Sequence, residues 1–163
     1  MRVGWGVDAH RFADDGLVLL AGIVADRTRG IDATSDGDVV AHALIDALLG
    51  AAALGDIGSQ YPSEDPRWVD ADSMVMLADT AGRVVGSGFT ITSVDLTVVS
   101  ETVRVSPIRE AMRSALATTL QIPLAAVSVK ATTSDGLGFT GRDEGLAALA
   151  VAVLEERVAE SPV

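Results

Sequence analysis

The feature that most restricts the fold is an apolar segment with ionisable residues at regular intervals. Asp38, His42 and Asp46 recur every four residues, so in a helix they share one stripe. The residues around that stripe are apolar; they are Val39, Val40, Ala41, Ala43, Leu44, Ile45, Ala47, Leu48 and Leu49. Burial of three ionisable groups there is costly unless each is paired or bound to a metal. The pattern predicts a helix over residues 35–54 with such a stripe.

The chain has only two histidines, and both occur in patterns with an acid. Asp8 and His10 lie in a predicted strand, where alternation places them on one face. With His42 they supply two imidazoles and one carboxylate, which suit Zn²⁺ with water or substrate as the fourth ligand. The alternative from these residues alone is two ordinary histidines, in the core or at the surface, beside an acidic helix cap.

Strands and helices are interspersed along the 163 residues. This order predicts an α/β sandwich with helices largely on one face of a sheet, as a single domain over 1–158 with a tail over 159–163. The predicted strands cover residues 2–10, 17–20, 89–100 and 127–133. The predicted helices are 35–54, opened by Ser35 in a capping box, 72–85, a segment opened by Ser106-Pro107, and a very apolar helix over 144–158.

The formal net charge of −11 disfavours binding to nucleic acid, which needs a basic surface. The absence of cysteine excludes disulfides, thiolate metal ligands and a cysteine nucleophile. No apolar run approaches the ~20 residues that span a bilayer, and the first residues lack the apolar stretch of a signal peptide. We therefore expect a cytoplasmic protein with no nucleic-acid or membrane partner.

Three polar segments have the chemistry of ligand-binding loops, although each is also typical of an ordinary connection. The acidic loop 55–66 can accept hydrogen bonds from a polyol, or it can simply be solvated. The loop over 130–138 has three consecutive hydroxyls and nearby glycines that can cradle phosphates, with Asp135 available to a divalent ion; the alternative is a polar turn. Residues 100–106 lead into a helix N-terminus, which attracts anions.

Taken together, these residues resemble the 2-C-methyl-D-erythritol 2,4-cyclodiphosphate synthase family of isoprenoid biosynthesis. The resemblance extends over nearly the whole chain in the family's order and spacing. It is carried by Asp8-Ala9-His10, Ser35-Asp36-Gly37-Asp38-Val39, His42-Ala43-Leu44, Asp46-Ala47-Leu48-Leu49-Gly50, Leu54-Gly55-Asp56-Ile57-Gly58, Lys130-Ala131-Thr132-Thr133 and Gly138-Phe139-Thr140-Gly141-Arg142.

The resemblance implies a homotrimer built around the sheets, with active sites at the subunit interfaces. It implies that Asp8, His10 and His42 bind Zn²⁺ and that a Mg²⁺ or Mn²⁺ ion bridges the substrate diphosphate near Asp135. Thr133 would steady the transition state. Asp38 and Asp46 are candidates to support the metal ligands.

The resemblance also assigns binding residues. The methylerythritol part of the substrate would contact Ser35, Asp56, Ile57, Gly58, Tyr61, Ser63 and Asp65. The cytidine nucleotide would contact Ser100, Arg104, Val105, Ser106, Thr132, Thr133, Ser134 and Asp135, largely from the neighbouring subunit. Phe139, Arg142 and Glu144 would lie near the trimer axis, where family members can enclose a small apolar cavity.

The implied activity is that of a lyase that cyclises 4-diphosphocytidyl-2-C-methyl-D-erythritol 2-phosphate and releases CMP. Some positions depart from the family's pattern: Thr34 replaces a usual His that donates to the attacking phosphate, Ser63 a usual Asp, Val103-Arg104 a usual Pro-Lys and Asp135 a usual Glu. A second hypothesis is therefore a non-catalytic or altered-specificity trimer that binds metal and cytidine nucleotide. A third is a generic zinc phosphoesterase with water as nucleophile.

Overall fold

The structure, a computed structural model, describes residues 1–157. Seven strands are present among them: β1 (Arg2–Ala13), β2 (Val18–Leu20), β3 (Ile23–Asp26), β4 (Gly30–Asp32), β5 (Phe89–Val99), β6 (Val127–Thr132) and β7 (Gly145–Glu156). The α-helices in the same residues are α1 (Val39–Ala52), α2 (Ile57–Gln60), α3 (Ser73–Gly86), α4 (Arg109–Leu120) and α5 (Gly138–Gly141). The predicted tail over 159–163 lies outside the described residues.

The main sheet has five strands in the order β4-β1-β7-β5-β6, and β2 with β3 forms a separate ribbon. All neighbours in the main sheet are antiparallel except β5 and β6. Helix α1 packs on β1 and β7, α3 packs on α1 and β5, and α4 packs on β6 and α3. The expected α/β sandwich with helices on one face of a sheet is confirmed.

Two glycines in β1 let α1 pack directly against the strand. A Cβ atom on Gly4 would lie 1.9 Å from the carbonyl oxygen of Ala47, and one on Gly6 would lie 2.0 Å from that of Ala43. No larger residue fits at either position without moving the helix. The close approach brings the first turns of α1 beside the second half of β1.

The prediction of a helix over 144–158 is wrong for the described residues, because residues 145–156 form the central strand β7. Its residues are alternately buried and half-buried from Leu146 to Leu154, as expected for a strand with one face on the core. A continuous apolar run fits a helix or a buried strand equally well by periodicity. Here the ladders to β1 and β5 on its two sides decide the outcome.

Two predicted helix starts are also wrong. The first helix begins at Val39 rather than Ser35, because Gly37 adopts a left-handed turn with φ of +71°, and the buried Asp38 carboxylate accepts from the N–H groups of the first turn. Helix α4 begins at Arg109 with no side-chain cap, because residues 105–108 form a turn closed by the Ile108 N–H. The predicted strands and the helix over 72–85 are present within a few residues of the predicted limits; β3 and β4 were missed.

The sheet face turned away from α1 is apolar and open in the single chain. Val3, Trp5 and Val7 alternate with the two packed glycines, and they are 61%, 62% and 49% exposed. Such a contiguous patch is unusual for a surface that faces only water. Within residues 1–157, no helix has the length and apolar character needed to cross a lipid bilayer.

We expect Gly6→Ala to lower the free energy of unfolding by about 3 kcal/mol, because the added methyl group overpacks the contact between β1 and α1. Gly50→Ala is the matched control. A Cβ on Gly50 meets nothing within 4 Å, so alanine there should raise helix stability by about 0.5–1 kcal/mol. Urea unfolding monitored by circular dichroism measures both. Equal effects of the two substitutions would contradict the role given to the close approach.

Candidate functional site

The two histidines and Asp8 converge where β1 meets the start of α1. Asp8 and His10 point to the same side of β1 as the packed glycines, and His42 lies in the first turns of α1. His10 Nε2 lies 2.9 Å from Asp8 Oδ2. His42 Nδ1 lies 3.1 Å from Asp8 Oδ2 and 3.1 Å from His10 Nε2. The predicted three-residue group is therefore assembled by the fold.

The geometry of this group fits a metal ion. Its ligand atoms all lie within 4.8 Å of one another, and tetrahedral Zn²⁺ at the usual bond lengths needs about 3.3 Å between its ligand atoms. The observed separations of 2.9–3.1 Å are slightly shorter, so a small outward movement suffices. Because three groups with lone pairs meet at one point, a shared proton or a cation must offset their mutual repulsion.

The electrostatics of Asp8 suit the same role. Burial would raise the pKa of Asp8, but the hydrogen bonds and positive charge of His10 and His42 outweigh it and hold this pKa well below its usual value. Asp8 is therefore ionised at neutral pH. By contrast, burial and the nearby charges of Asp56 and Asp8 outweigh a hydrogen bond from the Ile57 N–H and raise the pKa of Asp46.

The far side of the His42 ring contacts hydroxyl groups. Its Nε2 lies 2.9 Å from Ser73 Oγ and 3.1 Å from Ser35 Oγ. Ser73 is fully buried at the start of α3 and is bonded to the carboxylate of Asp36. Sequence reasoning missed Asp36 and Ser73, because their partnership joins residues 37 positions apart and no local pattern indicates it.

Asp38 and Asp46, the two acids expected to support the metal ligands, both accept hydrogen bonds from backbone N–H groups. The Asp38 carboxylate accepts from the N–H groups of Val40, Ala41 and Gly22, so it fixes the start of α1 and is not bonded to the His42 ring. Asp46 accepts from the N–H of Ile57 and ties the following loop to α1. Both side chains therefore hold backbone N–H groups, and a supporting role for Asp38 and Asp46 behind the metal ligands stays a prediction.

A cavity of about 260 Å³ opens beside the three-residue group. Its lining brings together most of the positions predicted to bind substrate, namely Thr34, Ser35, Ile57, Gly58, Tyr61 and Ser63. The Tyr61 hydroxyl points away into α3, where it donates to Asp79 Oδ2; its burial, with Asp79 nearby, raises the pKa of Tyr61 to about 12. Tyr61 therefore offers the cavity its ring.

Two predicted substrate ligands are engaged elsewhere. Asp56 caps α2 and accepts from the Ser59 N–H, which lowers its pKa. Asp65 caps the short turn over 66–68 and forms an ion pair with Arg67 at 2.6 Å. Neither is among the residues that line the cavity, so a contact of Asp56 or Asp65 with substrate stays a prediction.

A second cavity of about 190 Å³ lies between the end of β5, the start of α4 and the end of β6. It gathers the predicted nucleotide positions Ser100, Arg104, Val105, Ser106, Thr132 and Thr133. Glu101, within the predicted segment 100–106, and Arg109, which sequence reasoning missed, line the same cavity. They carry buried Oε2 and Nε atoms with no hydrogen-bond partner in the described part of the chain. Unsatisfied polar atoms of this kind suit a polar ligand.

The remaining predicted residues lie in the loop after β6 and in α5. Asp135 adopts a left-handed conformation with φ of +51° and accepts from the Thr133 hydroxyl at 3.1 Å. The Ser134 hydroxyl donates to the backbone oxygen of Leu137. Arg142 and Glu144 form an exposed ion pair, and Phe139 with Glu144 lines a cavity beside His10.

Comparison with known proteins agrees with this architecture. The chain is 49% identical over 154 residues to a 2-C-methyl-D-erythritol 2,4-cyclodiphosphate synthase of Pseudomonas putida, covering 94% of this chain and 98% of the relative. Among solved structures, the bifunctional IspDF from Campylobacter jejuni superposes with a TM-score of 0.92 at 41% identity, covering 95% of this chain and 42% of that protein.

A solved 2C-methyl-D-erythritol-2,4-cyclodiphosphate synthase in a CDP-bound form superposes with a TM-score of 0.86 at 33% identity, covering 94% of this chain and all of that one. The model of the YgbB family matches residues 1–155. With a match of that length and relatives at this identity, the chain belongs to the YgbB family.

Proposed function

We propose that this chain cyclises 4-diphosphocytidyl-2-C-methyl-D-erythritol 2-phosphate to 2-C-methyl-D-erythritol 2,4-cyclodiphosphate and releases CMP. The observation that carries the proposal is the convergence of Asp8, His10 and His42 beside a cavity lined by the family's substrate positions. Relatives that carry the synthase name at 49% identity support it and do not favour a non-catalytic alternative.

The reaction asks little covalent chemistry of the protein. An oxygen of the 2-phosphate forms a bond to the β-phosphorus, and the bond from that phosphorus to the oxygen retained by CMP breaks. The attacking oxygen is already anionic, so no side chain has to remove a proton from it. Catalysis of such a transfer depends on positioning and on charge. The protein must therefore fold the substrate back on itself and offset repulsion between its phosphates.

Asp8, His10 and His42 would hold a divalent cation, which we propose to be Zn²⁺. When bound, that ion supplies positive charge at a phosphate oxygen and so lowers the repulsion between the two arms. Asp135 is the proposed ligand of a second ion, Mg²⁺ or Mn²⁺, at the diphosphate. Oxygen ligands of this kind suit hard cations.

The chain's own hydroxyls and backbone supply the remaining contacts. Thr34 and Ser35 stand at the edge of the first cavity, where their hydroxyls can donate to the 2-phosphate and the polyol. Thr132 and Thr133 line the second cavity with Arg104, where they can donate to the diphosphate. Arg109 is a further donor there that the family's pattern did not supply.

We further propose that the active protein is a homotrimer. The open apolar face of β1 favours burial against another copy. The first cavity, beside Asp8, His10 and His42 (the metal-binding cavity), is separate in one chain from the second cavity, at the ends of β5 and β6 (the nucleotide cavity). A neighbouring copy can then supply the nucleotide cavity to each metal site.

Three further expectations stay predictions: a single domain over 1–158, a tail over 159–163 and a cytoplasmic location.

The first test is product formation. With Zn²⁺ and Mg²⁺ present, the protein should release CMP in equal amount to the substrate consumed, and phosphorus NMR should show a cyclic diphosphate. His10→Ala should lower turnover by at least about 10²-fold, because one of three ligands of the cation is lost. Absence of CMP from metal-replete wild-type protein contradicts the proposal. A linear phosphate product would instead identify water as the nucleophile.

The second test concerns Thr34, which carries a neutral donor where the family usually has an imidazole. Thr34→His should raise kcat, within the range of about 10²–10³-fold that one such donor can contribute, because an imidazolium also offsets charge. Thr34→Ala should lower it. Steady-state CMP release measures both, with CDP affinity as the control that the nucleotide cavity is intact. A slower Thr34→His variant would show that the threonine is the adapted residue.

The third test concerns the trimer. Trp5→Asp should reduce the molar mass measured by light scattering to that of one chain, because a charge is placed in the proposed interface, and CMP release should fall with it. Val75→Asp is the matched control, since Val75 is 64% exposed against 62% for Trp5 but lies on α3. A monomeric wild-type protein with full turnover would exclude the trimer.

A further inference from the structure

The orientation of the His42 ring is set from both of its nitrogens. Nδ1 faces Asp8 and His10 at 3.1 Å each, and Nε2 faces the hydroxyls of Ser73 at 2.9 Å and Ser35 at 3.1 Å. A neutral imidazole carries one hydrogen, so one nitrogen donates and the other offers a lone pair. What surrounds Nε2 therefore decides what Nδ1 can do.

The hydroxyl of Ser73 cannot donate a hydrogen bond to His42. Asp36 accepts from Ser73 twice, through Oδ2 from the backbone N–H at 3.0 Å and through Oδ1 from the side-chain hydroxyl. A serine hydroxyl has a single hydrogen, and here it is directed at Asp36. Towards His42, Ser73 Oγ can then only accept. Ser35 lacks such a partner for its hydrogen in the described residues, and its Oγ faces the Gly37 N–H, so it can adapt to either tautomer.

We infer that Asp36 and Ser73 are positioning residues that keep the hydrogen of His42 on Nε2, so that the Nδ1 lone pair points to the site shared with Asp8 and His10. The inference rests on the proposed metal centre for its purpose, because a cation held with Asp8 and His10 would need that lone pair. Partners of this kind, behind a ligating imidazole, commonly fix its tautomer and raise its affinity for metal.

The Asp36–Ser73 pair opposes the attraction of Asp8 for a hydrogen on His42 Nδ1, so its effect can be tested in metal-free protein. The ionised Asp8 carboxylate, 3.1 Å from Nδ1, favours a hydrogen on Nδ1. If Ser73 were free to donate to Nε2, Asp8 would draw the hydrogen across the ring. The buried pair of Asp36 and Ser73 removes that option, so the tautomer of the metal-free protein reports which influence is stronger.

Nitrogen NMR of the histidine side chains in metal-free protein, at a pH where both rings are neutral, tests the inference. Wild-type His42 should show a protonated Nε2 and an unprotonated Nδ1. Asp36→Ala and Ser73→Ala should each move the hydrogen to Nδ1, because nothing then prevents donation from a hydroxyl to Nε2. Ser35→Ala is the matched control and should leave it on Nε2. A wild-type His42 with its hydrogen on Nδ1 overturns the inference.

Zinc affinity, measured by competition with a chelator, gives the second readout. Asp36→Ala and Ser73→Ala should each weaken zinc binding about 10–100-fold, whereas Ser35→Ala should change it much less. Thermal unfolding and unchanged His10 nitrogen signals check that each variant keeps its fold. If Asp36→Ala loosens the start of α3, Ser73→Ala still tests the inference, because that variant keeps Asp36. Zinc affinities within about twofold of wild type in both variants also overturn the inference.

Failure of this inference is separable from failure of the proposed activity. The tautomer is read in metal-free wild-type protein, with no substrate present. Protein that shows hydrogen on Nε2 but releases no CMP retains the positioning pair and loses the proposed activity. Protein that releases CMP with hydrogen on Nδ1 of metal-free His42 retains the activity and loses the positioning pair.

Discussion

The site depends on one packing constraint, the contact of α1 with β1 through two glycines. With a Cβ at Gly6 only 2.0 Å from a carbonyl oxygen of the helix, any larger residue would push α1 outward. An outward shift of about 1 Å would separate His42 from the two ligands on the strand and open the 3.1 Å contacts. Backbone packing therefore sets the geometry of the polar group.

The sequence was sufficient for the three-residue group and insufficient for what supports it. Local periodicity placed Asp8 and His10 on one face of a strand and His42 on one stripe of an apolar helix. Their convergence follows once the helix covers the strand. The Asp36–Ser73 pair depends on how α3 meets the turn before α1, and this tertiary contact leaves no periodic pattern.

The wrong helix over 144–158 has a related cause. Alternating alanines are good helix formers, yet in β7 they are the residues that fit beneath a closely packed helix. Ala148, Ala150 and Ala152 are buried on the side of α1, while the residues between them are half-buried on the other face. Local propensity favoured a helix. The segment is a strand because it forms ladders with β1 and β5, and its small alanines fit beneath α1.

The charge of −11 and a substrate rich in phosphate are compatible because electrostatic interaction at the surface is short-ranged. At physiological salt, exposed charges more than about 8–10 Å apart are largely screened from one another. Most of the acidic surface is therefore not felt at the second cavity, where the two cations Arg104 and Arg109 outnumber the one acid, Glu101. Lys130 is instead paired with Asp95, so it does not supply free charge. The charges close to each cavity, rather than the net charge of the chain, therefore set the potential that an anion meets there.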